Sequence, residues 1–221
     1  MPRVIDVLLA ILALLVLLPF FIPIAFMLLL TGEHKVFYLQ NRVGHKNKSF
    51  KIIKFATMLE NSPNMGSGSL TLKNDPRVLP LGSFLRKTKI NELPQILNII
   101  IGDLSIVGPR PQMQVDFEKY SDDVKKKIYN VRPGLTGIGS IVFRDEEHLI
   151  SAASKKENPH DFYKRVVAPY KGELEMWYQN NKSSYIDLLI ILLTIWVIIF
   201  PKSNLTFKLF KDLPKKQDFQ N

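Results

Sequence analysis

Val7 to Leu30 is a run of 24 residues without a charged side chain, and no other stretch restricts the fold as much. A helix needs about 20 mostly apolar residues to cross a hydrocarbon core, so the run is long enough to insert. It fits a cleavable leader poorly, being long and followed by no small-residue cleavage pattern. Pro19 and Pro23 interrupt it. Each removes a backbone donor and clashes with the preceding turn, so a kink or break is expected there. Two half-helices of about a dozen residues, at about 1.5 Å per residue, reach only part of the way across a bilayer. The run is therefore either a kinked spanning helix, which membranes tolerate, or a broken helix that dips in and returns.

Charge placement orients the chain beyond this run. Arg3 and the amino terminus, opposed by Asp6, precede the run; Lys35, Arg42, Lys46, Lys48, Lys51 and Lys54 come after it. The positive-inside bias puts that second group, and the rest of the chain, in the cytoplasm. A second apolar stretch, Leu188 to Phe200, has only 13 residues. That is short for a span, and it reads as a core helix or, preferably, one lying against the membrane, with pairing to a copy of itself also open.

With 221 residues, the chain suits one domain plus an appendage. Lys and Arg outnumber Asp and Glu by 30 to 20, a formal charge of +10 that favours a polyanionic partner such as anionic lipid or a phosphorylated substrate. A nucleic-acid binder would need aromatics interleaved with the cations, which this chain lacks, so no nucleic-acid partner is expected. The absence of cysteine excludes disulfide and thiolate chemistry.

Between the apolar runs the expected fold is mainly α with a few short β-strands. Val36 to Gln40 and Phe50 to Phe55 read as strands around the turn-like "NRVGHKNKS". Glu60 to Asn74, rich in Ser, Gly, Asn and Pro, reads as a mobile loop of the lid or binding type. Leu81 to Lys87 suggests a short helix. Leu93, Ile96, Leu97 and Ile100 recur at helical spacing from Glu92 until Gly102. Asp122 to Asn130 reads as a charged helix, and Glu157 to Asn180 as a helix in pieces because of Pro159 and Pro169.

Asn91 and Glu92 stand at the start of the predicted helix. Asn is a favoured N-cap, so capping alone explains Asn91. The positive end of a helix also attracts anions, and a carboxylate there suits a magnesium ion bridging to phosphates. In "VGPRPQ" the prolines around Arg110 fix the setting of a guanidinium, which pairs well with phosphate oxygens. An exposed turn arginine is the plainer account of the same motif.

The stretch "NDPRVLPLGSFLRKTKINELPQILNIIIGDLSIVGPRP" resembles the signature of the bacterial sugar transferase family, the monotopic polyprenyl-phosphate phosphoglycosyl transferases. The likeness extends from "PRVID" through "FYLQNRVG" and "FKIIKFATM" to "VRPGLTG" and "SSYIDLLIILLT", nearly the whole chain. It implies an N-terminal re-entrant membrane helix over residues 1–34, broken at Pro19 where the family has a Ser-Pro pair. It also implies a membrane-associated cytoplasmic catalytic domain over 35–200, leaving 201–221 as a basic tail. The implied reaction moves a phosphosugar from a nucleotide sugar, usually UDP-linked, onto a polyprenyl phosphate. Magnesium is the implied cofactor, UMP the leaving product, and the inner membrane of a bacterium the implied place.

In that family an Asp-Glu pair does the chemistry: the Asp attacks phosphorus and the Glu helps hold the metal. The matching positions are Asn91 and Glu92. The resemblance carries phosphate contacts onto Arg86, Arg110 and Arg144, and Lys54 keeps the first cation of "KF[RK]TM" although Ala56 replaces the second. After "RPG" the family's "TGxAQVNGR" is replaced by "TGIGSIVFRDEEH". A carboxamide is a poor nucleophile, since its nitrogen lone pair is delocalised, so the family route does not transfer unchanged. Glu92 attacks in its place, or the lipid phosphate attacks directly, or Asp145, Glu146 or Glu147 supplies the carboxylate, or the protein is a silent membrane-bound scaffold.

Overall fold

The structure, a computed structural model, describes residues 1–215. Helix α1, Arg3–Leu30, holds the whole apolar run. Strands β1, Phe37–Val43, and β2, Ser49–Phe55, form an antiparallel hairpin. Helix α2, Pro80–Lys87, is followed by a 3₁₀ turn, Ile90–Glu92, and helix α3, Gln95–Ile101. Two three-residue strands, β3 Ser105–Val107 and β4 Gly134–Thr136, pair in parallel across α4, Gln114–Phe117, and α5, Asp122–Lys127. Helices α6 Ile138–Val142, α7 Glu146–Ala153, α8 Pro159–Phe162, α9 Ala168–Asn181, α10 Ser184–Ile199 and α11 Leu205–Leu209 complete the order, with a π turn at Tyr163–Val167 between α8 and α9. The mainly helical α+β reading holds.

The expected break at Pro19 is not a break in secondary structure, because the chain stays helical through both prolines. Pro19 and Pro23 both lie on the exposed side of α1. On the opposite side Ala10, Leu14, Leu17, Phe21, Ile24 and Leu28 follow one another at steps of three and four and pack on the domain. That side keeps the helix together where the prolines remove donors. At one end Arg3 donates to the carbonyls of Leu104, at 2.8 Å, and of Ile99. Asp6 accepts from Ser105 Oγ at 2.5 Å and from the Ile106 amide at 3.2 Å. Near the other end Phe21 meets Phe55 edge-on at 5.2 Å. The helix, about 42 Å at 1.5 Å per residue, thus rests on the domain from end to end. Its outer side remains apolar and exposed at Val4, Leu8, Leu12, Leu15, Phe20 and Phe26.

Helix α10 repeats this arrangement. Ser183 caps it by accepting from the Ile186 amide, and Asp187, Ile190, Leu193 and Val197 face inward. Leu188, Leu192, Ile195 and Ile199 are exposed. Sixteen residues rise about 24 Å, less than a hydrocarbon core. The main core lies between α10, α9 and the loops around β3 and β4, and it includes Ile138, Tyr170, Leu174 and Ile190. Phe210 and Leu213 join this core, and Asp212 accepts from Trp177 Nε1 at 2.9 Å. The segment expected as a tail from 201 therefore packs on α9 through residue 213; residues 216–221 lie outside the described residues.

The loop from Glu60 to Asn74, expected as a mobile lid or binding loop, forms a string of turns wound around the buried Arg77. Asn91 corrects a second expectation. It lies inside the 3₁₀ turn, α3 begins only at Gln95 behind Pro94, and Asn91 makes no capping hydrogen bond.

Candidate active site

Period-two alternation in β1 turns Tyr38, Gln40 and Arg42 toward one cavity, and Lys54 of β2 sits opposite Tyr38 in the register. Asn98 ties α3 to this hairpin: its amide donates to the Lys51 carbonyl at 2.8 Å and its Oδ1 accepts from the Ile53 amide at 2.9 Å. The 3₁₀ turn ahead of α3 is thereby fixed beside β2, with Asn91 and Glu92 at the cavity wall.

Arg110 arrives from the opposite side. The Gly108 amide donates to the Thr136 carbonyl and the Gly134 amide to the Pro109 carbonyl, both at 2.9 Å. A Cβ on Gly134 would collide with the Gly108 backbone, so the "VGPRP" and "RPGLTG" segments can meet this closely only through glycine. Buried Tyr129 clasps the same loop, donating to the Arg110 carbonyl at 2.8 Å and accepting from the Gln112 amide at 2.9 Å. Arg110 Nη2 then reaches Glu92 Oε1 at 3.0 Å, and Lys54 Nζ lies 3.7 Å from the same oxygen.

The cavity measures about 490 Å³. Seven Lys and Arg side chains and four carboxylates line it, a cationic surplus that suits an anionic ligand. Burial alone would raise the Glu92 carboxyl, but Arg110, then Lys54 and Lys89, hold it well below the usual carboxylate range. Glu92 in turn raises Arg110. Lys54 is pushed down to about 7, chiefly by burial, with Arg42, Arg110 and Arg86 adding to the effect and Glu92 opposing it.

All six residues expected at the site, Lys54, Arg86, Asn91, Glu92, Arg110 and Arg144, line this one cavity. Arg86 makes a 3.4 Å contact to Glu147, while Arg144 Nη1 and Asn91 Oδ1 are buried without a partner. The three acids named as stand-ins for the missing Asp sit differently. Lys171 Nζ holds both oxygens of Glu146 at 2.9 and 2.8 Å, Glu147 faces Arg86, and Asp145 is exposed and outside the cavity wall.

Sequence reasoning missed Arg42, Lys89, Ser140 and Lys171 as wall residues. The alternation in "FYLQNRV" carried a signal for Arg42, and Lys89 is set by its left-handed backbone, φ 61°. The far wall is apolar, formed by Ile191, Ile195 and Ile198 of α10 with Thr194 among them. Anion-binding groups and an aliphatic surface therefore share one opening.

Magnesium takes hard oxygen donors, commonly one or two carboxylates with the remainder from phosphates and water. Among the described residues no group of three or more His, Cys, Asp or Glu is arranged to hold a metal ion. Glu92 supplies one carboxylate, and Asn91, the preceding residue, has its Oδ1 buried without a partner. Leaving such an atom buried and unbonded costs about 1–3 kcal/mol, which a ligand would offset. The pair fits a magnesium ion whose other ligands come from substrate.

Comparison with known proteins identifies the family. The bacterial sugar transferase family profile matches residues 1–201. The exopolysaccharide production protein ExoY of Rhizobium meliloti is 35% identical over 91% of this chain and 87% of its own length. The UDP-N-acetylgalactosamine-undecaprenyl-phosphate N-acetylgalactosaminephosphotransferase of Aeromonas hydrophila is 33% identical over 89% of this chain. The undecaprenyl-phosphate galactose phosphotransferase of Salmonella typhimurium is 30% identical, also over 89%. The matches cover only 43% and 40% of those two longer proteins. With its cation-lined cavity and a family match reaching from the first helix past α10, the chain belongs to the bacterial sugar transferase family.

Proposed function

We propose that the protein transfers a phosphosugar from a UDP-sugar to a polyprenyl phosphate, releasing UMP, on the cytoplasmic face of a bacterial inner membrane. One observation carries the reading: a cavity joins a cationic wall that includes Glu92 to an aliphatic wall on α10. A nucleotide diphosphate sugar matches the first wall and an isoprenoid phosphate matches both. The exposed apolar sides of α1 and α10 support a protein seated in a membrane through these two helices. The names of the relatives support undecaprenyl phosphate as acceptor.

Asn91 directs the route. Glu92 is engaged by Arg110 and Lys54, and a carboxylate stabilised that strongly is a weak nucleophile. The reading is direct transfer. An oxygen of the lipid phosphate bonds to the sugar-bearing phosphorus as the bond from that phosphorus to the bridging oxygen breaks. UMP leaves with that oxygen, and no proton has to move. Arg110, Arg86 and Arg144 neutralise the phosphoryl oxygens and align donor and acceptor, which suffices where positioning and charge dominate the barrier. Magnesium held by Glu92 and Asn91 Oδ1 would stabilise charge developing on the departing phosphate.

The test is UMP release from labelled UDP-sugars, with magnesium present, with and without undecaprenyl phosphate. Direct transfer requires release only when lipid is added; release without lipid identifies a covalent intermediate and sinks this route. Asn91 also favours a second reading, a silent lipid-phosphate binder. That reading gains if a broad sugar panel gives no product and Asn91→Asp restores activity.

A further inference from the structure

The loop around Arg77 forms a wall of the same cavity through Ser62, Pro63, Gly68, Ser69 and Leu70. Arg77 is 3% exposed, and its guanidinium is fully engaged. Nη1 donates to the carbonyls of Ser62 at 2.7 Å, Met65 at 2.9 Å and Gly68 at 2.8 Å. Nη2 donates to Ser67 Oγ at 2.9 Å, the Leu70 carbonyl at 2.7 Å and Asp75 Oδ2 at 2.5 Å, and Nε to Asp75 Oδ1 at 2.8 Å. Carbonyls 62, 65 and 68 thus converge, every third residue, on one nitrogen. The loop contributes its own turns, with the amides of Met65, Gly68 and Leu70 donating three residues back. Gly66 at φ +54° and Gly68 at φ +58° permit the reversals. Further contacts tie the loop to the rest of the domain: Ser69 Oγ bonds Asp116 Oδ1 at 3.1 Å, and His160 Nε2 lies 3.1 Å from the Ser67 carbonyl.

We propose that Arg77 is a positioning residue for the donor site. Its guanidinium winds residues 62–70 into a preformed wall, so nucleotide-sugar binding is set by a fixed surface rather than a closing lid. The planar fork is required because a lysine ammonium, with three donors on a flexible stem, cannot serve carbonyls spread over nine residues together with Asp75. Only the donor-binding part of this inference rests on the transfer reading.

Hydrogen–deuterium exchange on the full chain tests the anchoring. Arg77→Lys keeps the charge pair with Asp75, so the fold should survive. The amides of Met65, Gly68 and Leu70 should then exchange at least about tenfold faster, while that of Ile53 keeps its protection. With UDP-sugars as probes, KM for the donor should rise about tenfold and kcat should stay within about threefold. Ser67→Ala, which removes one contact, should shift both readouts the same way by less, and it carries the test if Arg77→Lys does not fold. Unchanged loop exchange overturns the inference, and so does a loosened loop with an unchanged donor KM. Should the wild-type protein use no UDP-sugar, the transfer reading fails while exchange still decides the anchor.

Discussion

Arg77 and Arg110 are both held by the folded chain, yet they are used in opposite ways. The Arg77 guanidinium donates to four carbonyls, one hydroxyl and one carboxylate. The Arg110 guanidinium meets Glu92, and its side chain stays 32% exposed in the cavity. Arg77 is bonded like a core group; Arg110 keeps donors in reserve. Surplus hydrogen-bonding capacity, more than burial or charge, distinguishes a residue waiting for a ligand from one that supports the wall. The orphaned atoms of Asn91 and Arg144 fall on the ligand side of that division.

The comparison can be broken by substitution. Arg110→Ala should cut transfer by about a thousandfold, the range seen when an oriented donor to developing charge is lost, with loop exchange unchanged. Equal loss of loop protection in that variant would erase the distinction. Arg77→Met leaves Asp75 buried and unpaired, and should lower unfolding free energy by about 3–5 kcal/mol, measured by urea titration; Arg110→Ala should lower it by less.

Lys54 sharpens the contrast through pH. Its folded value of about 7 lies below the ordinary lysine value, so only its protonated form, dominant below pH 7, attracts phosphate. Donor affinity should fall as pH rises through 7, by up to about tenfold per unit, and Lys54→Met should flatten that profile. Stability moves the other way: between about 7 and the ordinary value the unfolded chain binds more protons, so the cost of burying this group, largest below 7, shrinks as pH rises. The smallest effect is expected at the aliphatic wall, where Ile195→Ser should raise KM for undecaprenyl phosphate by about three- to tenfold and leave donor KM unchanged.

How much the residues alone reveal depends on sequence distance. The hairpin, α2, α3 and the divided helix before Asn181 came from local periodicity and proline placement, and each formed within a few residues of expectation. The six residues expected at a site were picked out through ordered motifs, and the fold brings them to one cavity. The β3–β4 pair was not legible, since each strand has three residues and pairs with a partner far along the chain. Asn91 misled because a favoured cap precedes an apolar helical run, while Pro94 delays the helix to Gln95. The loop at Glu60 looked mobile because its composition is that of a flexible segment. The guanidinium that orders it lies beyond the window in which composition is read.

The seating of α1 has a practical consequence. Ala10, Phe21 and Leu28 cover Ile99, Leu104, Phe55 and Leu85, so the first thirty residues act as a lining and not as a detachable leash. Deleting them to obtain a water-soluble enzyme would strip the underside of the catalytic body and leave an adhesive apolar floor. Recovering this protein in working order calls for keeping that segment and supplying an amphiphile to cover its exposed apolar side.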